Sequence, residues 1–210
     1  MDKVDFKKKY KNIYSPSSKK PTIIEIPPLQ YAVLEGTGNP NTSESFSKSI
    51  EALYGLSYTI SMSYKNEIFK IPNFFNYVVP PLEGVWDIVD GIKYEKFNKD
   101  NLKWTIGIMQ PDFVTEEVFN AAKELAFSKK KLELTKDLSL RQFDDGYCCT
   151  FMHIGPYDNE KESFDKMEEY AKAQNYVRIE KTHREIYISD FRKVEPEKLK
   201  TVLRFKINKS

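Results

Sequence analysis

Cysteine and histidine are scarce in this chain of 210 residues, at two each, and no long apolar run is present. Cys148 and Cys149 are adjacent, which argues against a disulfide between them and supplies no metal-ligand spacing. Strand alternation puts one of the pair inside, as a small buried hydrophobe, and the other out. His153 and His183 have no third ligand beside them, so both read as structural histidines and no metal site is expected. No segment approaches the roughly 20 apolar residues that a spanning helix needs, and Met1 to Lys20 is too polar for a signal peptide. The chain therefore reads as cytoplasmic, without a membrane partner.

Charge of one sign is lacking too. Lys and Arg number 33 against 31 Asp and Glu, a net charge of +2 that creates no global field for nucleic acid. Lys7, Lys8, Lys9, Lys11, Lys19 and Lys20 make the first twenty residues locally basic, and a solvated, frayed terminus is expected there. That stretch is too short for a helix-turn-helix domain, so direct nucleic-acid binding is not expected. Gly36-Thr37-Gly38 opens like a dinucleotide loop, but Asn41 stands where the third glycine belongs. Neither a nucleophile elbow nor a phosphate loop occurs.

Aromatic residues, by contrast, are abundant: 13 Tyr, 14 Phe and 2 Trp make up 14% of the chain. Many must be core, while some are available to line a cavity for a flat apolar ligand.

The order of elements repeats. Gln30 to Gly36 reads as a strand; a helix-start cluster from Asn39 to Ser43 leads into a helix carrying Phe46, Ile50, Leu53, Tyr54 and Leu56. Tyr147 to Ile154 is a second such strand, followed by the turn Gly155-Pro156-Tyr157-Asp158-Asn159 and a helix with Phe164, Met167, Tyr170 and Ala171. Glu44-Ser45-Phe46 and Lys48 match Glu162-Ser163-Phe164 and Lys166. Two strand-like runs follow each helix: Asn76 to Val89 and Leu102 to Gln110, then Ile179 to Asp190 and Thr201 to Ile207. Duplication is the economical account. It divides one domain, residues 1–210, into half-repeats at about 21–111 and 132–208, joined by a helix at about 115–128 that Thr115 caps. Pro27-Pro28 and Pro80-Pro81 mark turns or edges.

Within the last half, His183-Arg184-Glu185-Ile186-Tyr187-Ile188-Ser189-Asp190 places a carboxylate among apolar and aromatic residues. Period two puts His183, Glu185, Tyr187 and Ser189 on one face and Arg184, Ile186 and Ile188 on the other. If the isoleucines meet a helix layer, Glu185 and Tyr187 face water, a pocket or a partner. An exposed ion pair is the alternative reading of Glu185. Arg184 does not neutralise it directly unless a bulge intervenes. Trp86 and Trp104 fall in first-half strands and suit either core or pocket wall; Gly84, beside Trp86, permits close approach by a ligand or another backbone. Tyr157 is either a pocket ring or a turn-packing ring. Phe74-Phe75 reads as a lid or as strand and turn.

These residues together resemble the GyrI-like small-molecule-binding proteins, and within them a stand-alone cytoplasmic group. The resemblance covers nearly the whole chain. It is carried by Phe6-Lys7-Lys8, Tyr10-Lys11, Ile13-Tyr14 and Pro16; by Gly36 and Gly38-Asn39-Pro40-Asn41; by Ile108-Met109-Gln110-Pro111 with Val114-Thr115; and by His153-Ile154-Gly155-Pro156-Tyr157-Asp158. Glu185-Ile186-Tyr187-Ile188-Ser189-Asp190, with Pro196 to Arg204 behind it, is the most specific part. His183-Arg184 departs from the paired histidines that precede the acid in related chains.

The resemblance implies an α+β fold: two pseudo-twofold-related β-α-β-β modules forming a curved, mainly antiparallel sheet, with helices on one face and a ligand cleft on the other. It places the family's ligand-receiving acid at Glu185; Tyr187, Tyr157, Trp86 and Trp104, read from their own positions, are the candidate ligand-binding aromatics beside it. No cofactor is expected; haem, bound by a related fold, is the only one raised and is not adopted. The implied partner is a hydrophobic, often cationic small molecule, and nothing in the sequence sets an oligomeric state. Burial raises the pKa of a carboxylate in such a cleft and a bound cation lowers it again, while each ring adds about 0.5–2 kcal/mol of cation–π attraction.

Two functions fit: a module that sequesters xenobiotics for cellular protection, or a hydrolase. Part of the group resembles enzymes that open the cyclopropane of DNA-alkylating natural products. In that case Glu185 is the general acid or base and Tyr187 a second catalytic group.

Overall fold

The computed structural model describes residues 3–90 and 98–210. From the N-terminus run β1 (Val4–Asp5), α1 (Phe6–Lys9), α2 (Lys11–Tyr14), β2 (Thr22–Ile26) and β3 (Leu29–Thr37). Then follow α3 (Glu44–Ser61), β4 (Tyr77–Val78), β5 (Leu82–Ile88), β6 (Leu102–Met109), α4 (Glu116–Lys130) and β7 (Ser139–Phe143). The chain closes with β8 (Gly146–Ile154), α5 (Glu160–Ala173), β9 (Tyr176–Arg178), β10 (His183–Tyr187) and β11 (Lys200–Lys209). The fold is α+β and its strand pairs are antiparallel, apart from the two-residue parallel pair of β1 with β4.

Two compact units divide the residues, and the division does not follow the chain order. The first comprises residues 1–6, 29–82 and 88–143; the second comprises residues 7–28, 83–87 and 144–210. In the first unit β3 lies between β6 and β7, with α3 against β3 and β6. Helix starts follow the expected chemistry: Ser43 Oγ accepts from the Phe46 amide, and Thr115 Oγ1 from that of Val118. Phe74 and Phe75 pack with Phe113 at ring separations of 5.4 and 5.1 Å, which makes them part of an aromatic cluster with Tyr77 and Phe6.

In the second unit the strand order is β2-β8-β11-β10-β5, with β9 on the far end of β11. Register assigns every side chain to one of two faces. Glu185 pairs with Leu203 and Gly84, and Leu203 pairs with Phe151, so these residues share a face. The same face carries Cys149 and Phe205, which join Met167 and Ala171 of α5 in one buried cluster. Glu185 and Tyr187 therefore lie on the helix-bearing face of this unit, which corrects the expectation of a ligand face opposite the helices. Counting from the isoleucines alone could not decide this, because Ile186 is also fully buried.

The other face of β10 is buried by charge and by the N-terminal segment. Arg184 Nη1 donates to Glu83 Oε2 at 3.2 Å and Arg184 Nε to Asp145 Oδ2 at 3.2 Å. Arg204, cross-strand from Arg184, donates to the same Asp145 oxygen at 3.0 Å. Tyr14 donates to Glu83 Oε1 at 3.0 Å. Phe6, Ile13 and Tyr14 are all buried, so the expected frayed terminus is instead a docked one. The lysines misled because they are exposed while the apolar residues between them face inward. Cys148 is buried as well as Cys149, contrary to the one-in, one-out expectation, because its face is the one covered by the charge network around Asp145. Burial lifts their thiols to about 11 and about 12.

Asp145 is the hinge of the charge network. Burial alone would raise its carboxyl, but Arg184 and Arg204 outweigh that and hold it below the usual aspartate value. A depressed native pKa contributes stability that is present above the unfolded value near 4 and is lost as pH falls through the native one. Asp145→Ala would leave Arg204, 1% exposed, without this acceptor. The expected cost is about 3–5 kcal/mol at neutral pH, read as a lowered urea midpoint. The gap between variant and wild type should narrow in acid; a gap independent of pH would contradict the assignment.

Candidate functional site

The antiparallel pairing of β5 with β10 builds the site. It sets Gly84 opposite Glu185 and Trp86 opposite His183 on one face. Because Gly84 has no side chain, the Trp86 indole and the Tyr187 hydroxyl occupy its place: a Cβ there would stand 2.8 Å from Trp86 Nε1 and 3.2 Å from Tyr187 Oη. The close approach anticipated at this glycine is thus made by the site's own aromatic groups.

A hydrogen-bond chain follows. Trp86 Nε1 donates to Tyr187 Oη at 2.9 Å, and Tyr187 Oη donates to Glu185 Oε2 at 2.8 Å. Glu185 Oε1 lies 3.1 Å from His183 Nε2. The Glu185 side chain is 11% exposed, so an ion pair on an open sheet face is not its setting. Burial, and then the adjacent Glu185 carboxylate, raises the Tyr187 phenol well above its usual value.

Tyr157 meets Tyr187 edge to face, ring centroids 5.9 Å apart at 88°. Burial, then Glu185, pushes its phenol up to about 12. His153 fixes the turn that carries Tyr157, since Nε2 contacts the Pro156 carbonyl at 3.1 Å and Nδ1 the Ser163 hydroxyl at 2.9 Å. Nε2–H donates to the carbonyl, and the Ser163 hydroxyl, able to donate or accept, meets Nδ1. Phe164 packs on the His183 ring at 4.8 Å.

Glu185, Tyr187, Tyr157 and Trp86 thus come together in one unit. Trp86 arrives there because its strand, though early in sequence, pairs with β10. Trp104 belongs to the other unit, 2% exposed, edge-on to Phe46 at 5.1 Å and lying over Gly36. That unit also has a surface depression of about 230 Å³ between α3 and α4, lined by Tyr58, Met62 and Lys130 among others but by no carboxylate.

One site residue was missed from sequence. Glu160, the first residue of α5, is 7% exposed, and its carboxyl lies beside that of Glu185. Burial first, and then Glu185, raises its pKa well above the usual glutamate range. An acid in the first turn of a helix ordinarily means a favourable dipole contact, so Glu160 gave no cue. Its spacing of three from Tyr157, which puts both on the approach to one turn, was the available hint.

Buried carboxyls, a hydrogen-bonded phenol and aromatic walls on an α+β frame make up the candidate site. The chain belongs to the GyrI-like family: residues 19–208 match the GyrI-like small molecule binding domain. No curated protein matches it. Among solved structures it is similar to a hydrolase from Listeria innocua, at 36% identity and a TM-score of 0.88, over 98% of this chain and all of that one. A hydrolase encoded by lin2189 from Listeria innocua gives 36% identity and a TM-score of 0.90 over 99% of this chain and all of that one. An uncharacterized conserved protein from the same organism gives 37% and 0.90 over 98% and 100%. No helix among the described residues is long and apolar enough to cross a membrane.

Gly84→Ala tests the geometry. The added methyl must displace the indole or the phenol, at a cost of about 1–3 kcal/mol in a packed site. Tryptophan fluorescence should change with far-UV dichroism unaltered, and ligand affinity should fall. Unchanged fluorescence together with unchanged affinity would show that the close approach is unimportant.

Proposed function

We propose that this protein is a hydrolase acting on a flat, hydrophobic substrate that carries a strained cyclopropane conjugated to a carbonyl, as DNA-alkylating natural products do. The observation carrying this reading is Glu185 itself: a nearly buried carboxylate held by Tyr187 and within reach of His183, in a site walled by Trp86 and Tyr157. Similarity to two proteins named hydrolases, over nearly the whole chain, supports it.

Glu185 serves as general base toward water, and proton transfer of this kind typically contributes 10²–10⁴-fold. Attack opens the ring and moves an electron pair onto the carbonyl oxygen. Tyr187 or Tyr157 donates a hydrogen bond to that developing charge, and Trp86 holds the flat body in line. Trp104 is kept as a ligand-binding candidate only as the second tryptophan of the first-half strands. Strain in the ring supplies much of the driving force, so a site of modest power suffices. The matching strand–helix–strand–strand orders, β3-α3-β5-β6 and β8-α5-β10-β11, support origin by duplication and two pseudo-twofold modules. We place the protein in the cytoplasm, where such alkylators meet DNA.

A second reading is simple sequestration of cationic xenobiotics, favoured by the same carboxylate and rings. Incubating the purified protein with a cyclopropanoid alkylator should give the ring-opened alcohol by mass spectrometry. Glu185→Gln should slow this by roughly 10²-fold. Binding of a lipophilic cation with no turnover would leave sequestration, and Glu185→Gln should then weaken the cation but not a neutral analogue.

A further inference from the structure

Two buried carboxyl groups set side by side are more stable sharing one proton than carrying two charges. Glu160 stands one helical turn before Phe164, whose ring packs on His183 at 4.8 Å, and three residues after Tyr157, whose ring meets Tyr187, so its carboxyl is brought beside that of Glu185. Position decides where that proton rests. Glu185 receives the Tyr187 hydroxyl on one oxygen and faces His183 Nε2 with the other, so both its oxygens are met by hydrogen-bonding groups. Glu160 Oε1 is shut away from solvent with no donor reaching it among the described residues. A carboxylate there would forfeit both hydration and hydrogen bonding, whereas a carboxylic acid forfeits little. The groups facing Glu160 are Glu185 and Tyr187 from β10 and Tyr157 and Asp158 from the turn, with His183 beyond Glu185. The nearby acids all favour the neutral form; only the start of α5 favours the anion.

We propose that Glu160 is the proton donor of the site, holding the single proton of a carboxyl pair and delivering it to the substrate oxygen that gains charge. This rests on the hydrolase reading and gives the conjugated carbonyl of that substrate its proton source. Water bonds to the ring carbon as its proton passes to Glu185. The strained carbon–carbon bond breaks, and its electron pair moves through the conjugated system to the carbonyl oxygen, which takes the Glu160 proton. Glu185 then returns its proton to Glu160, the carboxyl beside it. Substrate and water have become the ring-opened alcohol, and both carboxyls are as they began.

His153 acts as a positioning residue in this scheme. Its contacts to Pro156 and Ser163 lock the turn and the first turn of α5, from which Glu160 projects.

The test compares wild type, Glu160→Gln and Glu160→Asp. Gln preserves shape and a donor but cannot release a proton. Turnover of a cyclopropanoid should fall roughly 10²-fold in Glu160→Gln with affinity little changed, and the loss of rate seen by wild type at high pH should disappear. Glu160→Asp should recover part of the rate and regain that alkaline limb. Infrared spectra of the free proteins at neutral pH should show a carboxylic-acid carbonyl band in wild type that Glu160→Gln lacks. Wild-type rate and pH profile in Glu160→Gln would overturn the donor role while leaving Glu185 as base. Identical infrared spectra would overturn the protonated Glu160 itself. If wild type opens no ring, the hydrolase reading falls and takes the donor role with it, and the infrared comparison still decides whether the one-proton pair exists.

Discussion

The pairing of β5 with β10 is the contact on which the site depends. A strand from early in the sequence crosses into the unit built by the end of the chain, and the antiparallel ladder sets Gly84 opposite Glu185. Without a side chain at that position the Trp86 indole can lie flat toward Tyr187, and the Trp86–Tyr187–Glu185 hydrogen-bond chain can close. A slip of one residue would turn Trp86 to the opposite face and bring Val85 in its place. The register is in turn held from below, where Glu83 accepts from both Tyr14 and Arg184. Site and foundation are consecutive residues of the same two strands.

This arrangement uses burial in two opposite ways across one strand. On the lower face each buried charge has a partner: Arg184 with Glu83 and Asp145, and Arg204 with Asp145. Such a network adds little net stability over a well-packed apolar one, but losing one member is costly. It is therefore suited to fixing register. On the upper face the acids outnumber the cations. Glu185 and Glu160 face phenols and a histidine, and among the described residues no lysine or arginine pairs with either. Groups left in that condition exchange protons most readily, which is why perturbed acids gather where chemistry is done.

Much of this was legible in the sequence. Period two in residues 183–190 separated Glu185 and Tyr187 from Arg184, and the ladder is regular enough that no bulge reverses this. Strands β3, β6, β8 and β11 and helices α3, α4 and α5 follow the apolar patterns and cap residues that announce them. Strands β2 and β7 went unread because neither alternates: β2 is half-buried along most of its length and β7 is largely polar, with no buried residue. What the pattern could not carry was the identity of neighbours. Trp86 and Tyr187 are 101 residues apart, and no local property of Trp86 says which strand it will sit beside. The helix-bearing face was equally hidden, since Ile186 and Leu203 are both fully buried, on opposite faces. Glu160 was lost for a third reason: first-turn acids are common on helices, and only the tertiary contact with Glu185 sets this one apart.

The difference between a site that holds a flat aromatic molecule and one that transforms it comes down to proton storage. Rings and a single carboxylate suffice for binding, because ring faces and one charge attract many flat cations. Hydrolysis of a strained ring needs a base for the water and an acid for the oxygen that leaves with the electron pair, both available at the same pH. Two buried carboxyls side by side can meet that requirement, since burial and the neighbouring Glu185 push the Glu160 carboxyl well above the usual glutamate range. A permanent cation placed on such a pair would favour expulsion of the stored proton, whereas a neutral acceptor would use it. The pair therefore inclines the site toward neutral carbonyl substrates, and on these grounds the hydrolase reading fits this chain better than capture of cations.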